Sequence, residues 1–286
     1  MKSARFLGII LAAVLAGCSD VGPALKINAS EGPNPWTHLK FKNDPDNFQF
    51  AIVADRTGDH RPGVFAEAVE KLNLLSPQFV MSIGDFIEGH TEDEAELEHQ
   101  WDEFDGLTNK LQMPFFYVPG NHDIDSETTG RMWRQRRGPS YYYFIYHDVL
   151  FLCLNTEDTA SSHISDQQLE YFRAVIKANN NVRWTLVFLH KPLWWNPDTL
   201  EYWQKFVALL GQRPYTVFAG HRHTYDKSVY DDKRYYILAT TGAKEQLTGL
   251  EQCEFDHIVW VTMKDAGPLV ANLLLDGILD DEPCPQ

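Results

Sequence analysis

The feature that most restricts the fold of this chain is a recurring local pattern in which a short apolar run stops on a residue with metal-binding chemistry. FQFAIVA ends at Asp55, FVMSIG at Asp85, FFYVPG at Asn121 and His122, WTLVFL at His190, and YTVFAG at His221 with His223 two residues on. Runs of this length and apolarity read as buried strands, at 48–54, 78–83, 114–118, 184–189 and 215–219. Amphipathic stretches at 64–75, 92–111, 167–178 and 200–210 separate several of them and have helical length, which predicts an α/β fold. Later runs at 235–240, 257–263 and 269–275 follow one another without an intervening helix and are expected as antiparallel additions. The carboxyl ends of parallel strands gather on one edge of a sheet, so residues remote in sequence can converge there. An isolated Asp or His after a strand is usually a cap or a turn residue. Five in succession point instead to one site. With His122 set aside, these strand ends hold two carboxylates, three imidazoles and one amide oxygen, which suits Mn, Fe or Zn.

Composition decides what such a site can attract. The 286 residues are 44% hydrophobic and 13% aromatic, enough for a large core, which excludes disordered, collagenous and coiled-coil classes. Lys and Arg number 25 against 40 Asp and Glu, a net charge of −15, so no nucleic-acid partner is expected. A phosphorylated small molecule needs a local source of positive charge, and a metal supplies it. At the start, Lys2 and Arg5 precede an uncharged stretch, 6–17, too short to span a membrane. Residues 1–17 therefore read as an export signal. The stretch ends Leu15-Ala16-Gly17-Cys18, which resembles the bacterial lipobox and implies lipidation of Cys18. Ser19 follows in place of an aspartate. The expected location is the cell envelope, at the outer membrane or its periplasmic face. Residues 18–46, rich in Gly, Pro, Asn and Asp, read as a tether, 47–277 as the folded domain and 278–286 as an acidic tail. Cys153 lies in an apolar run and reads as a buried hydrophobe, while Cys253 and Cys284 form the candidate disulfide.

Taken in order, Asp55-Arg56-Thr57, Gly84-Asp85, Gly120-Asn121-His122-Asp123, His190 and Gly220-His221-Arg222-His223 resemble the signature of the calcineurin-like metallophosphoesterases over about 47–245. The resemblance implies two packed mixed β-sheets flanked by helices, a four-layer sandwich with two metal ions at the sheet edge. By position, Asp85 would bridge the metals, Asp55 and His223 would serve the first, and Asn121, His190 and His221 the second. His122 would protonate the leaving oxygen or stabilise the phosphoryl charge, with Asp123 orienting its ring. Two such cations turn a shared water into hydroxide for in-line attack on phosphorus. The implied activity is phosphoric ester hydrolysis, by a phosphomonoesterase or phosphodiesterase of the cell envelope, with pyrophosphate substrates also open. A non-catalytic envelope binding protein and a nuclease are the alternatives.

Thr57 departs from the pattern, because the family carries histidine there. The first metal is then weakly held, absent, or served by Asp59 or His60 from the same loop. Arg56, beside a ligand, is a candidate for bidentate pairing with phosphate. Arg131, Arg134, Arg136 and Arg137 form either a substrate-attracting patch or an exposed helix face paired with the acidic stretch 92–98. Tyr141 to Tyr143, Trp194, Trp195 and Tyr225 flank the motif loops, either as stacking surfaces or as packing.

Overall fold

The computed structural model describes residues 47–159, 163–244, 246–275 and 277–279. Along the chain these form β1 (Phe48–Val53), α1 (Val64–Leu75), β2 (Val80–Ser82), α2 (Glu94–Thr108), β3 (Phe115–Phe116), α3 (Glu127–Arg137), β4 (Tyr142–Tyr146) and β5 (Val149–Cys153). There follow α4 (Asp166–Ala178), β6 (Trp184–Phe188), α5 (Pro197–Leu210), β7 (Tyr215–Ala219), β8 (Asp226–Tyr230), β9 (Lys233–Ile237), β10 (His257–Lys264), β11 (Gly267–Leu274) and β12 (Gly277–Leu279). Two six-stranded mixed sheets result, ordered β12-β11-β10-β1-β2-β3 and β4-β5-β6-β7-β9-β8.

Side-chain alternation along the strands builds four layers. In β1 and the residue after it, Phe48, Phe50, Ile52 and Ala54 enter the core between the sheets, whereas Ala51 and Val53 face α1, α2 and α3. In β5, Val149, Phe151 and Cys153 turn to the same inter-sheet core and Leu150 and Leu152 to α4 and α5. That central layer is strongly aromatic: Phe50 stacks on Phe79 at 5.2 Å, Phe188 on Phe218 at 5.4 Å and Phe218 on Tyr236 at 5.2 Å. Cys153 is buried there as a free thiol, as expected.

Helix limits follow their caps. Asp93 accepts from the N–H of Ala95 and Glu96 and starts α2 two residues later than the amphipathic pattern suggests. Asn196 caps α5, and Pro197 at its first position, needing no hydrogen-bond partner for its nitrogen, starts it three residues early. Ser126 and Thr129 form a reciprocal capping box for α3. The arginines of α3 lie against α2: Arg131 pairs with Glu94 at 2.7 Å, Arg136 with Asp102 at 2.7 Å, and Arg137 with Asp105. The pairing expected with the stretch 92–98 therefore holds for Arg131, whereas Arg136 and Arg137 reach carboxylates farther along the same helix.

The run at 235–240 is placed differently from expectation. β9 pairs in parallel with β7, Val217 opposite Tyr235, and antiparallel only with β8. The reason is β8, a polar, part-exposed strand without an apolar signature, joined to β9 by Asp231 and Asp232, both at positive φ. That hairpin reverses the chain once more and returns β9 in the direction of β7. Runs 257–263 and 269–275 do add antiparallel strands, β10 to β1 and β11 to β10. At the far end β12 pairs with β11, so the sheet continues two residues into the segment expected as a tail. Cys253 is disulfide-bonded; the expected partner Cys284, the export signal 1–17, Cys18 and the tether 18–46 lie outside the described residues.

Candidate metal centre

All five strand ends open onto one edge, three from the first sheet and two from the second. Their loops are bound to each other: the N–H groups of Arg56 and Thr57 donate to the Asp85 carbonyl at 3.0 and 3.1 Å. The His221 N–H donates to Asp55 Oδ1 at 2.9 Å. Asp85, His221 and His223 all take positive φ, an uncommon backbone for such residues and one found at functional sites. Glycines clear space for the carboxylates. A Cβ on Gly120 would lie 2.1 Å from Asp85 Oδ1, and one on Gly220 would lie 2.2 Å from Asp55 Oδ2.

Among the described residues two groups of ligand atoms result, Asp55 with Asp85 and His223, and Asp85 with His190 and His221. Within each group the atoms lie within 4.8 Å of one another, and Asp85 belongs to both. His190 donates from Nδ1 to the Ile83 carbonyl at 2.8 Å, which turns Nε2 toward Asp85 Oδ2 at 3.2 Å, Asn121 Oδ1 at 3.1 Å and His221 Nδ1 at 3.2 Å. His223 is held by the Lys244 carbonyl at 3.3 Å, with Nε2 3.5 Å from Asp55 Oδ1. Backbone carbonyls thus fix the ring orientations, as in histidine metal sites generally.

The residues fit a pair of cations. Asp55 Oδ2 is buried without a hydrogen-bond partner among the described residues, a costly state for an anionic oxygen that has no counter-charge. Burial opposes charge on Asp85, yet His190 and His122 beside it hold its carboxyl well below the usual range. Burial likewise opposes charge on His190, but Asp85 and Asp55 push it up to about 10. Burial and the charge on His190 lower His221 to about 3. The cluster thus demands positive charge, and His223 shows the same demand, since against its burial Asp55 raises it. Metal ligation requires the imidazoles neutral and brings the charge with the ion.

Several residues are placed otherwise than expected. Asp123 does not orient His122. Fully buried, it accepts from Asp85 N and Gly120 N through Oδ2 and from Phe86 N through Oδ1, all at 2.8 Å, so it organises the loop that presents Asp85. Burial and the Asp85 charge raise it to about 7 against those N–H donors. The His122 ring donates from Nδ1 to the Glu88 carbonyl at 2.7 Å, because the chain after Asp85 bends back over it. Arg56 is buried with its guanidinium on the Phe86 carbonyl at 2.7 Å and Glu103 at 2.5 Å, packed over the Phe104 ring, so those donors are committed inside the fold. Neither Asp59 nor His60 joins the ligand groups: Asp59 pairs with Lys244 at 2.7 Å and His60 with Glu88 at 2.7 Å.

Two residues of the site escaped the sequence reading. The Glu88 carboxylate gathers the N–H groups of Asp59 and His60, each at 2.9 Å, and despite partial burial those donors lower it to about 2. His90 packs on His122 with ring centroids 4.3 Å apart and pairs with Asp125 at 2.6 Å. Their one sequence signal is proximity to Asp85.

Comparison with known proteins agrees with this geometry. The model of the calcineurin-like phosphoesterase family matches residues 15–238, so the chain belongs to that family and is a metal-dependent phosphoric ester hydrolase. Similar solved structures include a dimetal phosphatase from Danio rerio, at 15% identity and a TM-score of 0.54, covering 78% of this chain and 98% of that one. A purple acid phosphatase from yellow lupin, Lupinus luteus, is 15% identical with a TM-score of 0.61, over 82% of this chain and 53% of its own. GAP50, the anchor in the inner membrane complex of Plasmodium, is 12% identical with a TM-score of 0.61, over 82% and 89%. At these identities they share the fold. Comparison with curated proteins returns no match to this chain.

Proposed function

We propose that the chain is an exported phosphomonoesterase or phosphodiesterase of the bacterial cell envelope, tethered by a lipid on Cys18, whose two metal ions are held by Asp55, Asp85, Asn121, His190, His221 and His223. The observation that carries this reading is the pair of ligand groups sharing Asp85. The donors, carboxylate and imidazole with one amide, favour Mn, Fe or Zn. When bound, the cations neutralise phosphoryl oxygens and make water acidic enough to attack at neutral pH.

The protein's own residues do the rest. Asp85 belongs to both ligand groups, and Asp123 locks the backbone from which Asp85 projects. His122, its Nδ1–H anchored on the Glu88 carbonyl, keeps Nε2 for the site, and in its doubly protonated form it would give the Nε2 proton to the leaving oxygen. With threonine at 57, the first group has, among the described residues, Asp55, Asp85 and His223 as side-chain donors and no fourth, so the first ion is the weaker bound. The envelope assignment rests on Lys2, Arg5, the uncharged stretch after them and the Leu-Ala-Gly-Cys sequence; among the described residues no helix is long and apolar enough to cross a membrane.

The test is hydrolysis of p-nitrophenyl phosphate and bis-(p-nitrophenyl) phosphate by metal-loaded protein, with and without a chelator. Hydrolysis lost with chelator and restored by Mn2+ or Zn2+ supports the reading, and hydrolysis indifferent to metal refutes it. Fractionation of expressing cells tests the anchor: Cys18→Ser is expected to move the protein out of the membrane fraction, and an unchanged distribution refutes lipidation.

A further inference from the structure

Two cavities open beside the ligand groups, and His221 and Lys191 line both. The one of about 500 Å³ carries the carboxylates of Asp125, Glu157 and Asp158 in its wall. The other, of about 670 Å³, is built from buried Pro192 and Leu193, the rings of Trp195 and Tyr202, and Arg222. Both volumes suit a small ligand, but their chemistry differs. The three carboxylates of the first disfavour an anionic ester, whereas the other has one carboxylate, Asp198, beside its flat rings and the Arg222 cation.

Trp195 is the unusual residue. Trp101, Trp133 and Trp203 are buried in the core, while Trp195 remains 46% exposed at the rim of the site. The Arg222 guanidinium lies 4.7 Å from its ring centroid. Arg222 stands between His221 and His223, so its backbone is set by the residues that carry two of the ligand imidazoles. The Trp195–Arg222 pair is thereby tied to the loop that carries two of the ligand imidazoles. Indole faces and guanidinium planes are both surfaces on which conjugated rings stack, with little demand on the ring's identity.

We propose that this cavity is the leaving-group subsite, and that Trp195 and Arg222 select phosphate esters whose alcohol carries a flat conjugated ring, the nucleobase of a nucleoside phosphate being the type. The proposal rests on the hydrolase reading above. It makes Trp195 a specificity residue acting on the substrate's far end and leaves the metal ligands unchanged.

The test compares adenosine 5′-monophosphate with glycerol 3-phosphate as substrates of metal-loaded wild type, Trp195→Ala and Trp195→Phe. Wild type is expected to favour the nucleotide, and Trp195→Ala to lower the kcat/KM ratio between the two esters about tenfold, through KM. Trp195→Phe is expected to recover most of that ratio. Adenosine alone, titrated by calorimetry, is expected to bind Trp195→Ala about tenfold more weakly than wild type. An unchanged ratio, or equal losses on both esters, overturns the subsite. A wild type that hydrolyses neither ester, and neither p-nitrophenyl phosphate nor bis-(p-nitrophenyl) phosphate, refutes the hydrolase reading, and equal adenosine affinity in wild type and Trp195→Ala overturns the stacking site by itself.

Discussion

Replacing Asp123 by asparagine separates the two roles this residue could have. Its carboxylate takes three N–H donors at 2.8 Å, two on Oδ2 and one on Oδ1, with Ile87 N a weaker fourth at 3.4 Å. Asparagine has one carbonyl oxygen. Its best placement keeps Asp85 N and Gly120 N and turns the NH2 group onto Phe86 N, donor against donor. One charge-assisted bond is lost and one buried N–H is left unpaired, together about 2–4 kcal/mol. For a domain of this size that lowers Tm by roughly 5–15 °C. Because Asp85 hangs from the same backbone, metal affinity is expected to fall about 10–100-fold, the usual effect of removing support behind a ligand. Thermal unfolding of metal-free protein and calorimetric metal titration read the two effects. Unchanged metal affinity with loss of turnover alone would refute this reasoning, and would show that Asp123 works through His122 after all.

Three further outcomes follow from the same geometry. His122→Ala is expected to keep its metal content while kcat falls about 100-fold, because the ring, proposed as the proton donor, lies outside both ligand groups; metal loss equal to that of an Asp85 variant contradicts it. Gly120→Ala is expected to displace Asp85, since its Cβ would also lie 2.5 Å from Asp85 N, and an alanine variant with normal metal content contradicts that. His257 provides a pH signature away from the site. Its Nδ1 donates to Asn272 Oδ1 at 2.8 Å, its Nε2 is buried without a partner among the described residues, and burial lowers it to about 4 from an ordinary 6.5. The unfolded chain therefore takes up a proton that the folded one refuses. Its contribution to stability is full above pH 6.5 and is lost as pH falls toward 4, by about 3 kcal/mol in all. The difference in unfolding free energy between wild type and His257→Leu is expected to change by that amount across this interval, and a constant difference contradicts it.

What the sequence discloses of this site follows the physics of each contact. Asp55, Asp85, Asn121, His190, His221 and His223 were legible because apolar runs announce strands and their ends carry the ligand chemistry. Helix α1 was legible to its limits, since Val64–Leu75 keeps a clear apolar face. By contrast, the anchor of the His122 ring is the Glu88 backbone carbonyl, and the partners of Asp123 are backbone N–H groups. Every residue owns such groups, so no side-chain pattern reveals which will be used. Arg56 misled for a related reason: position beside a ligand says nothing of direction, and its side chain turns to Glu103, remote in sequence on α2. β8 was invisible because Asp226–Tyr230 is a polar edge strand, and β9 could not be oriented without it.

The central claim is that side chains from two sheets hold two cations through one shared carboxylate. Metal content after loading with Mn2+ or Zn2+ and desalting, measured on wild type and Asp85→Asn, tests it most directly. Wild type is expected to retain up to two ions per chain, one for each ligand group, with the Thr57 site the first to empty, and Asp85→Asn to lose both together. An Asp85→Asn protein that keeps the wild-type metal content, or a wild type that takes up none, contradicts the account.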